Sequence, residues 1–261
     1  MRAALGRHWP EYLMEAAGLG LFMVSASGFA VLLFHPRSPA LPLLGGDLAR
    51  RALMGLAMAL TAIALIYSPW GRRSGAHFNP AVTLTFFRLG KVETWDALFY
   101  VVAQFVGGVS GMLLVAAVAG PFVADPAVNY VVTVPGSPGV VVAFAAEALI
   151  AFCTMTTVLA VSNSPRWAGF TGLCAGALVA AYITLEAPLS GMSLNPARTF
   201  ASAVPADVWQ AFWIYLVAPL VGMLIAAELR VRWTRRPVMC AKLQHEHARR
   251  CIFRCGYMTA P

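Results

Sequence analysis

Apolar residues run almost unbroken through six stretches of the chain, at about 11–34, 48–68, 95–119, 140–162, 167–188 and 208–230, with polar and turn-forming residues gathered between them. Each run is close to the ~20 residues with which a helix crosses a ~30 Å hydrocarbon layer. Six crossings are therefore predicted, and an even number puts both ends of the chain on one side. The run from Tyr12 to Phe34 is too long for the apolar core of a secretory leader, so it is read as the first span despite Arg2 and Arg7 before it. Two further stretches, 75–90 and 190–205, break the pattern, being too short to cross and too apolar for ordinary surface loops.

Composition agrees with this pattern. Of the 261 residues, 59% are apolar and only 11% charged, and the mean hydropathy is +0.71, which leaves too little charge for a water-facing surface. An all-α membrane protein is expected, and a soluble enzyme is excluded. The net charge of +8 resides mainly in one place: from Arg230 onward there are eight Lys/Arg against the single acid Glu246. A basic segment directly after an apolar run fits the positive-inside rule and attraction to anionic headgroups better than nucleic-acid binding. With both termini cytoplasmic, fifteen basic residues lie inside against four outside, Arg37, Arg50, Arg51 and Arg198. The stretch 120–139, with four prolines and no Lys or Arg, reads as an external connection between two halves.

The halves repeat. Ser74-Gly75-Ala76-His77-Phe78-Asn79-Pro80-Ala81-Val82-Thr83 and Ser190-Gly191-Met192-Ser193-Leu194-Asn195-Pro196-Ala197-Arg198-Thr199 share the frame SG-x3-NPA-x-T, 116 residues apart. Glu15 in the first span has its counterpart in Glu147 in the fourth. Three crossings per half is an odd number, so the second half is inverted relative to the first, with a pathway expected on the axis between them. The organisation expected is a first repeat over 1–119 with a half-helix at 80–88, a connection over 120–139, a second repeat over 140–230 with a half-helix at 196–204, and a basic tail over 231–261.

Asn-Pro starts a helix, since asparagine is a good N-cap and proline is favoured at the first helical position, where its missing N–H would be unsatisfied anyway. From Pro80 to about Phe87 such a helix is roughly 12 Å long, less than half the hydrocarbon thickness. It therefore re-enters rather than crosses, and Pro196 to about Ala203 does the same from the opposite face. Inversion brings the two N-termini together near the midplane, each carrying roughly half a positive charge. The Asn79 and Asn195 amides are placed to turn N–H donors toward the lumen. A neutral molecule with a lone pair is oriented there, while a cation or excess proton meets a positive potential in a poorly hydrated place.

On both NPA boxes, Glu15, Glu147 and Gln104, residues 11–230 resemble the aquaporin or major intrinsic protein family, in its bacterial type. The resemblance implies a right-handed bundle of six spans plus two half-helices, one pore per subunit and a homotetramer in the plasma (inner) membrane. It implies a passive channel for water, with glycerol, ammonia and hydrogen peroxide as further permeants, and neither catalysis nor a cofactor. Arg198, the one charge in its apolar half-segment, would form the external filter, since a charge at membrane depth is too costly to be idle. The other filter positions fall on Met58, with Met54 as the alternative because 68–73 looks like an insertion, on Ile183 and on Met192. This ring departs from that of strict water channels, which commonly carry His at the Ile183 position. Thr199 stands where many glycerol facilitators carry Asp, Ala203 is small as in water channels, and Tyr215-Leu216 is mixed.

Glu15 and Glu147 admit two roles, as proton carriers or as acceptors for backbone N–H groups of the re-entrant loops; the second is favoured. His77 reads as a loop-shaping residue. Gly107, Gly108 and Gly111, like Gly169, Gly172 and Gly176, are expected where helices cross closely. Cys153 and Cys174 sit in apolar runs as small hydrophobes. Cys240, His245, His247, Cys251 and Cys255 in the tail are candidates for a soft metal or for oxidation, on a spacing that matches no established zinc pattern. A secondary transporter is the alternative function, because inverted repeats and broken helices also build alternating-access machines. Few ionisable residues stand near the midplane to couple such transport. Neither HExxH nor GxSxG occurs.

Overall fold

The computed structural model of the protein describes residues 1–234, 237–245 and 250–257. Its helices are α1 (Arg2–Phe34), α2 (Asp47–Tyr67), α3 (Pro69–Ser74), α4 (Pro80–Arg88), α5 (Thr94–Val123), α6 (Val140–Ser162), α7 (Thr171–Leu185), α8 (Ala187–Ser190), α9 (Pro196–Ala206) and α10 (Phe212–Thr234). No strand occurs among the described residues. Six helices are long and apolar enough to cross a membrane: α1, α2, α5, α6, the segment Ala168–Leu185 that contains α7, and α10. Large apolar side chains such as Leu21, Leu60, Val106 and Leu149 point outward from them, a surface that suits lipid and would be a liability in water.

The boundaries depart from the apolar runs in ways with local causes. Helix α1 begins well before residue 11, because its first turns are held by polar contacts rather than lipid. His8 Nδ1 lies 2.8 Å from Asp96 Oδ1, and the buried Glu11 accepts from Arg73 Nε at 3.0 Å. Helix α5 runs past 119 to Val123, through a kink at Ala119 two residues before Pro121. The connection 120–139 is thus helical at its start. At the far end α10 continues to Thr234, so the tail begins later than residue 231. The stretch 68–73 holds most of a short helix, α3, and its N-cap Ser68, whose Oγ accepts from Gly71 N at 3.0 Å.

The two halves interlock. Within them α1 packs on α5 and α6 on α10, and α2 packs on α7 across the divide. Each half-helix crosses over, α4 against α10 and α9 against α5. Small residues let the backbones approach. A Cβ added at Gly107 would sit 2.1 Å from Ala16 O, one at Gly111 2.4 Å from Gly20 O, and one at Gly222 2.1 Å from Ala148 O. In lipid, close packing of this kind is the main source of helix association. Gly107→Val is accordingly expected to force α1 and α5 apart at a cost of about 1–3 kcal/mol. A lowered melting temperature of the detergent-solubilised protein would show it, and an unchanged one would contradict the crossing.

Candidate functional site

Asn79 and Asn195 do two jobs each. As N-caps, Asn79 Oδ1 accepts from Ala81 N at 2.9 Å, and Asn195 Oδ1 accepts from Ala197 N at 3.0 Å and Arg198 N at 3.3 Å. Pro80 and Pro196 follow at the first helical position. Each amide nitrogen then reaches the opposite loop: Asn79 Nδ2 donates to Leu194 O at 2.8 Å, and Asn195 Nδ2 to Phe78 O at 2.7 Å. The boxes are thus cross-linked, which leaves one N–H of each amide for the lumen rather than two.

The residues before each cap repeat a strained backbone. Gly75 and Gly191 have φ of 101° and 82°, and after each a non-glycine residue is left-handed at two alternate positions, Ala76 and Phe78 in one loop, Met192 and Leu194 in the other. Such conformations persist only when surroundings over-determine them. Glu15 supplies part of that constraint, accepting from Ser74 Oγ at 2.6 Å, His77 N at 3.1 Å, Phe78 N at 2.6 Å and Gln104 Nε2 at 2.9 Å. Glu147 does the same, accepting from Ser190 Oγ at 2.8 Å, Ser193 N at 2.6 Å and Leu194 N at 2.8 Å. Both carboxylates are fully buried. A second symmetric pair, not picked out as loop anchors from the sequence, is Tyr100 Oη donating to Ser74 O and Tyr215 Oη to Ser190 O, each at 2.6 Å. Their signal was the separation of the two tyrosines, nearly that of the two boxes.

A cavity of about 300 Å³ threads the bundle past Asn79 and Asn195. Toward the face opposite the termini it is lined by Met54, Met58, Ile183, Met192 and Arg198, with Arg51 and Phe34 at the mouth. Arg198 donates to Thr133 Oγ1, and Thr133 is buried in the connection between the halves. The register of α2 on α7 sorts the two methionines. Arg51 Nε donates to Thr184 O at 3.2 Å, and a Cβ on Gly55 would lie 2.6 Å from Ala180 O, so residues 51–55 face 180–184. Met54 therefore stands nearer the level of Ile183 than Met58 does, Met58 lying one turn deeper, where Ala59 and Ile63 face Gly176.

At the face that carries the N-terminus, the described residues of the tail do not form a free or lipid-surface segment. Val238, Cys240, Ala241, Lys242, Leu243, Phe253 and Cys255 are buried. Leu243 N donates to Gly75 O at 3.1 Å, His77 Nε2 donates to Ala241 O at 2.8 Å, and the Phe253 ring stacks on His77 at 5.3 Å. Leu243 is itself part of the cavity lining. His77 is thus held both in its loop, with Nδ1 3.0 Å from Thr83 Oγ1, and by the tail. Of the tail's candidate ligands, Cys240, His245, Cys251 and Cys255 are drawn together, and His247 lies outside the described residues. The Cys240 and Cys251 Sγ atoms are 3.5 Å apart; their contact holds the Cys251 thiol below the usual thiol range and raises that of Cys240.

Comparisons with known proteins converge on one family. The model of the major intrinsic protein family matches residues 5–229. The chain is 39% identical over 191 residues to the probable aquaporin AqpM of Archaeoglobus fulgidus, covering 70% of this chain and 77% of that protein. It is 35% identical over 201 residues to aquaporin NIP6-1 of Arabidopsis thaliana, covering 77% of this chain and 64% of the plant protein. Its fold is similar to that of the aquaglyceroporin from Plasmodium falciparum, with a TM-score of 0.71 at 21% identity, over 87% of this chain and 97% of that one.

Proposed function

The chain belongs to the major intrinsic protein family, and on that premise we propose that it is a passive membrane channel for water and small neutral solutes such as glycerol. The observation that carries the reading is the pair of cross-linked, capped half-helix N-termini, Asn79 and Asn195, opening on one continuous cavity. Each N-terminus presents about half a positive charge. A neutral permeant trades hydrogen bonds with the free amide N–H groups, whereas a cation or a proton on water meets repulsion in a mostly apolar tube. The termini and tail are assigned to the cytoplasmic side of the plasma membrane by the distribution of basic residues, and a homotetramer is the expected assembly.

The filter is assigned to Met54, Ile183, Met192 and Arg198, with Met58 one turn below it, on the register of α2 against α7. A ring with one polar side and three flexible or branched apolar sides yields to solutes wider than water more readily than one closed by a second polar group. Shrinkage of proteoliposomes in a sucrose gradient and their re-swelling in a glycerol gradient, with the protein kept in chelator, test the channel. Rates above the lipid background in both gradients are expected. Met54→Ala should raise the ratio of glycerol to water flux several-fold, and Met58→Ala should raise it less. The reverse ranking would return the filter to Met58.

A further inference from the structure

The segment 237–257 forms no helix or strand among its described residues, yet it is tied to several elements of the bundle. Met239 N donates to Asn163 Oδ1 at 2.6 Å beyond the end of α6, Arg254 N to Lys91 O at 3.0 Å between α4 and α5, and Leu243 N to Gly75 O. Lys242, only 1% exposed, donates from Nζ to Arg72 O at 3.0 Å and to Arg250 O at 3.1 Å. A strand-free peptide of this length has too small an apolar core to hold such a shape unaided, and structural metals or disulfides are the usual remedy. No disulfide is formed by its three cysteines.

What they form instead is a cluster. One ligand atom from each of Cys240, His245, Cys251 and Cys255 lies within 4.8 Å of the other three, with Cys255 Sγ 3.1 Å from His245 Nε2 and Cys240 Sγ 3.5 Å from Cys251 Sγ. Around a tetrahedral zinc with Zn–S near 2.3 Å, neighbouring sulfurs stand ~3.8 Å apart, so these separations already approximate the edges of a Cys3His tetrahedron. The three sulfurs and one imidazole select a zinc-class cation over calcium or magnesium.

We propose that Cys240, His245, Cys251 and Cys255 bind one zinc-class divalent cation, and that the bound metal holds residues 238–243 as a plug in the mouth of the pathway on the face of the termini. The metal site stands on the cluster alone; the plug rests on the channel reading. On binding, each cysteine still in the thiol form gives its proton to solvent while one already ionised gives none, and no oxidation state changes. The plug's contacts are with the re-entrant loop itself. Leu243 enters the cavity and takes the Gly75 carbonyl, Ala241 O takes the His77 N–H, and Phe253 covers the His77 ring. Loss of the metal frees the plug to leave, which opens that mouth.

Full-length protein is stripped with a chelator and titrated with Co²⁺, whose thiolate charge-transfer absorption reports sulfur ligation, then with Zn²⁺ in competition. One cobalt per chain with that band, displaced by zinc, is expected, and the double variant C251S, C255S should lose it. Water permeability in proteoliposomes is then measured with zinc and with chelator. Chelation should raise the wild-type rate about tenfold, as saturating ligand holds one of two states. C251S, C255S should be fast in both conditions, and Phe253→Ala should bind cobalt normally yet conduct with zinc present. Absence of the charge-transfer band, or its survival in C251S, C255S, overturns the metal site, as does a Cys240–Cys251 disulfide found in the non-reduced protein. Normal metal binding with zinc-independent water flux overturns the plug. Background permeability in every variant and condition overturns the channel and the plug together while leaving the metal site standing.

Discussion

Glu15→Ala is expected to abolish water conduction and to lower the stability of the detergent-solubilised protein by several kcal/mol. The carboxylate accepts from four buried donors, Ser74 Oγ, His77 N, Phe78 N and Gln104 Nε2. Each donor left without a partner in a buried place costs about 1–3 kcal/mol. Two of the four belong to a loop whose residues Ala76 and Phe78 are left-handed, and that strain is maintained only while the partners are present. The loop carries Asn79, so its relaxation would also undo the bond from Asn79 Nδ2 to Leu194 O and disorganise the second box. Glu15→Gln keeps the size but turns one acceptor into a donor facing donors, and an intermediate loss is expected. Stopped-flow light scattering and thermal unfolding check both. Wild-type water flux in Glu15→Ala would show that the loop is held by something other than this carboxylate.

The second large effect is expected at the filter. Arg198→Val removes the guanidinium that donates to Thr133 Oγ1 and faces the cavity beside Met192 and Ile183. The opening becomes wider and loses its positive charge, so glycerol permeability relative to water should rise about tenfold, equivalent to roughly 1.4 kcal/mol at the barrier. Water flux itself should persist, since the amide donors at Asn79 and Asn195 remain. Some leak of cations is expected as well, because the half-helix dipoles would then act alone. Glycerol swelling and a vesicle-entrapped pH dye measure the two effects. Thr133→Val, which leaves the arginine but not its partner, should change selectivity in the same direction and less. Unaltered glycerol discrimination in Arg198→Val would move the filter elsewhere.

The architecture was legible because its signals are strong and local. Six apolar runs of membrane length, two Asn-Pro helix starts in a shared frame and a glutamate in register in each half are all periodic or positional features of the chain itself. What the sequence did not disclose depends on how distant segments meet. The choice between Met54 and Met58 turns on helix register, on which Gly55 against Ala180 O and Arg51 against Thr184 O bear, and a count back from the box across 68–73 does not supply that register. The crossed bonds from Asn79 to Leu194 and from Asn195 to Phe78 need both loops in place before they can be seen.

The tail is the plainest case. By charge alone it reads as a solvated or lipid-surface segment, yet Lys242 is buried with its ammonium on two backbone carbonyls and Leu243 lines the cavity. Net charge says where a segment is favoured on average; it does not reveal that a few apolar and sulfur-bearing residues between the charges fit one vestibule.

Whether a neutral-solute path runs between the two capped half-helices is read most directly from osmotic water flux in proteoliposomes carrying a transmembrane pH gradient, with the protein kept in chelator. A channel gives rapid shrinkage, well above that of protein-free vesicles and linear in the osmotic gradient, while the pH gradient decays no faster than in those vesicles. Shrinkage at the lipid background, or flux that saturates and collapses the pH gradient as proton-coupled transport would, contradicts the channel.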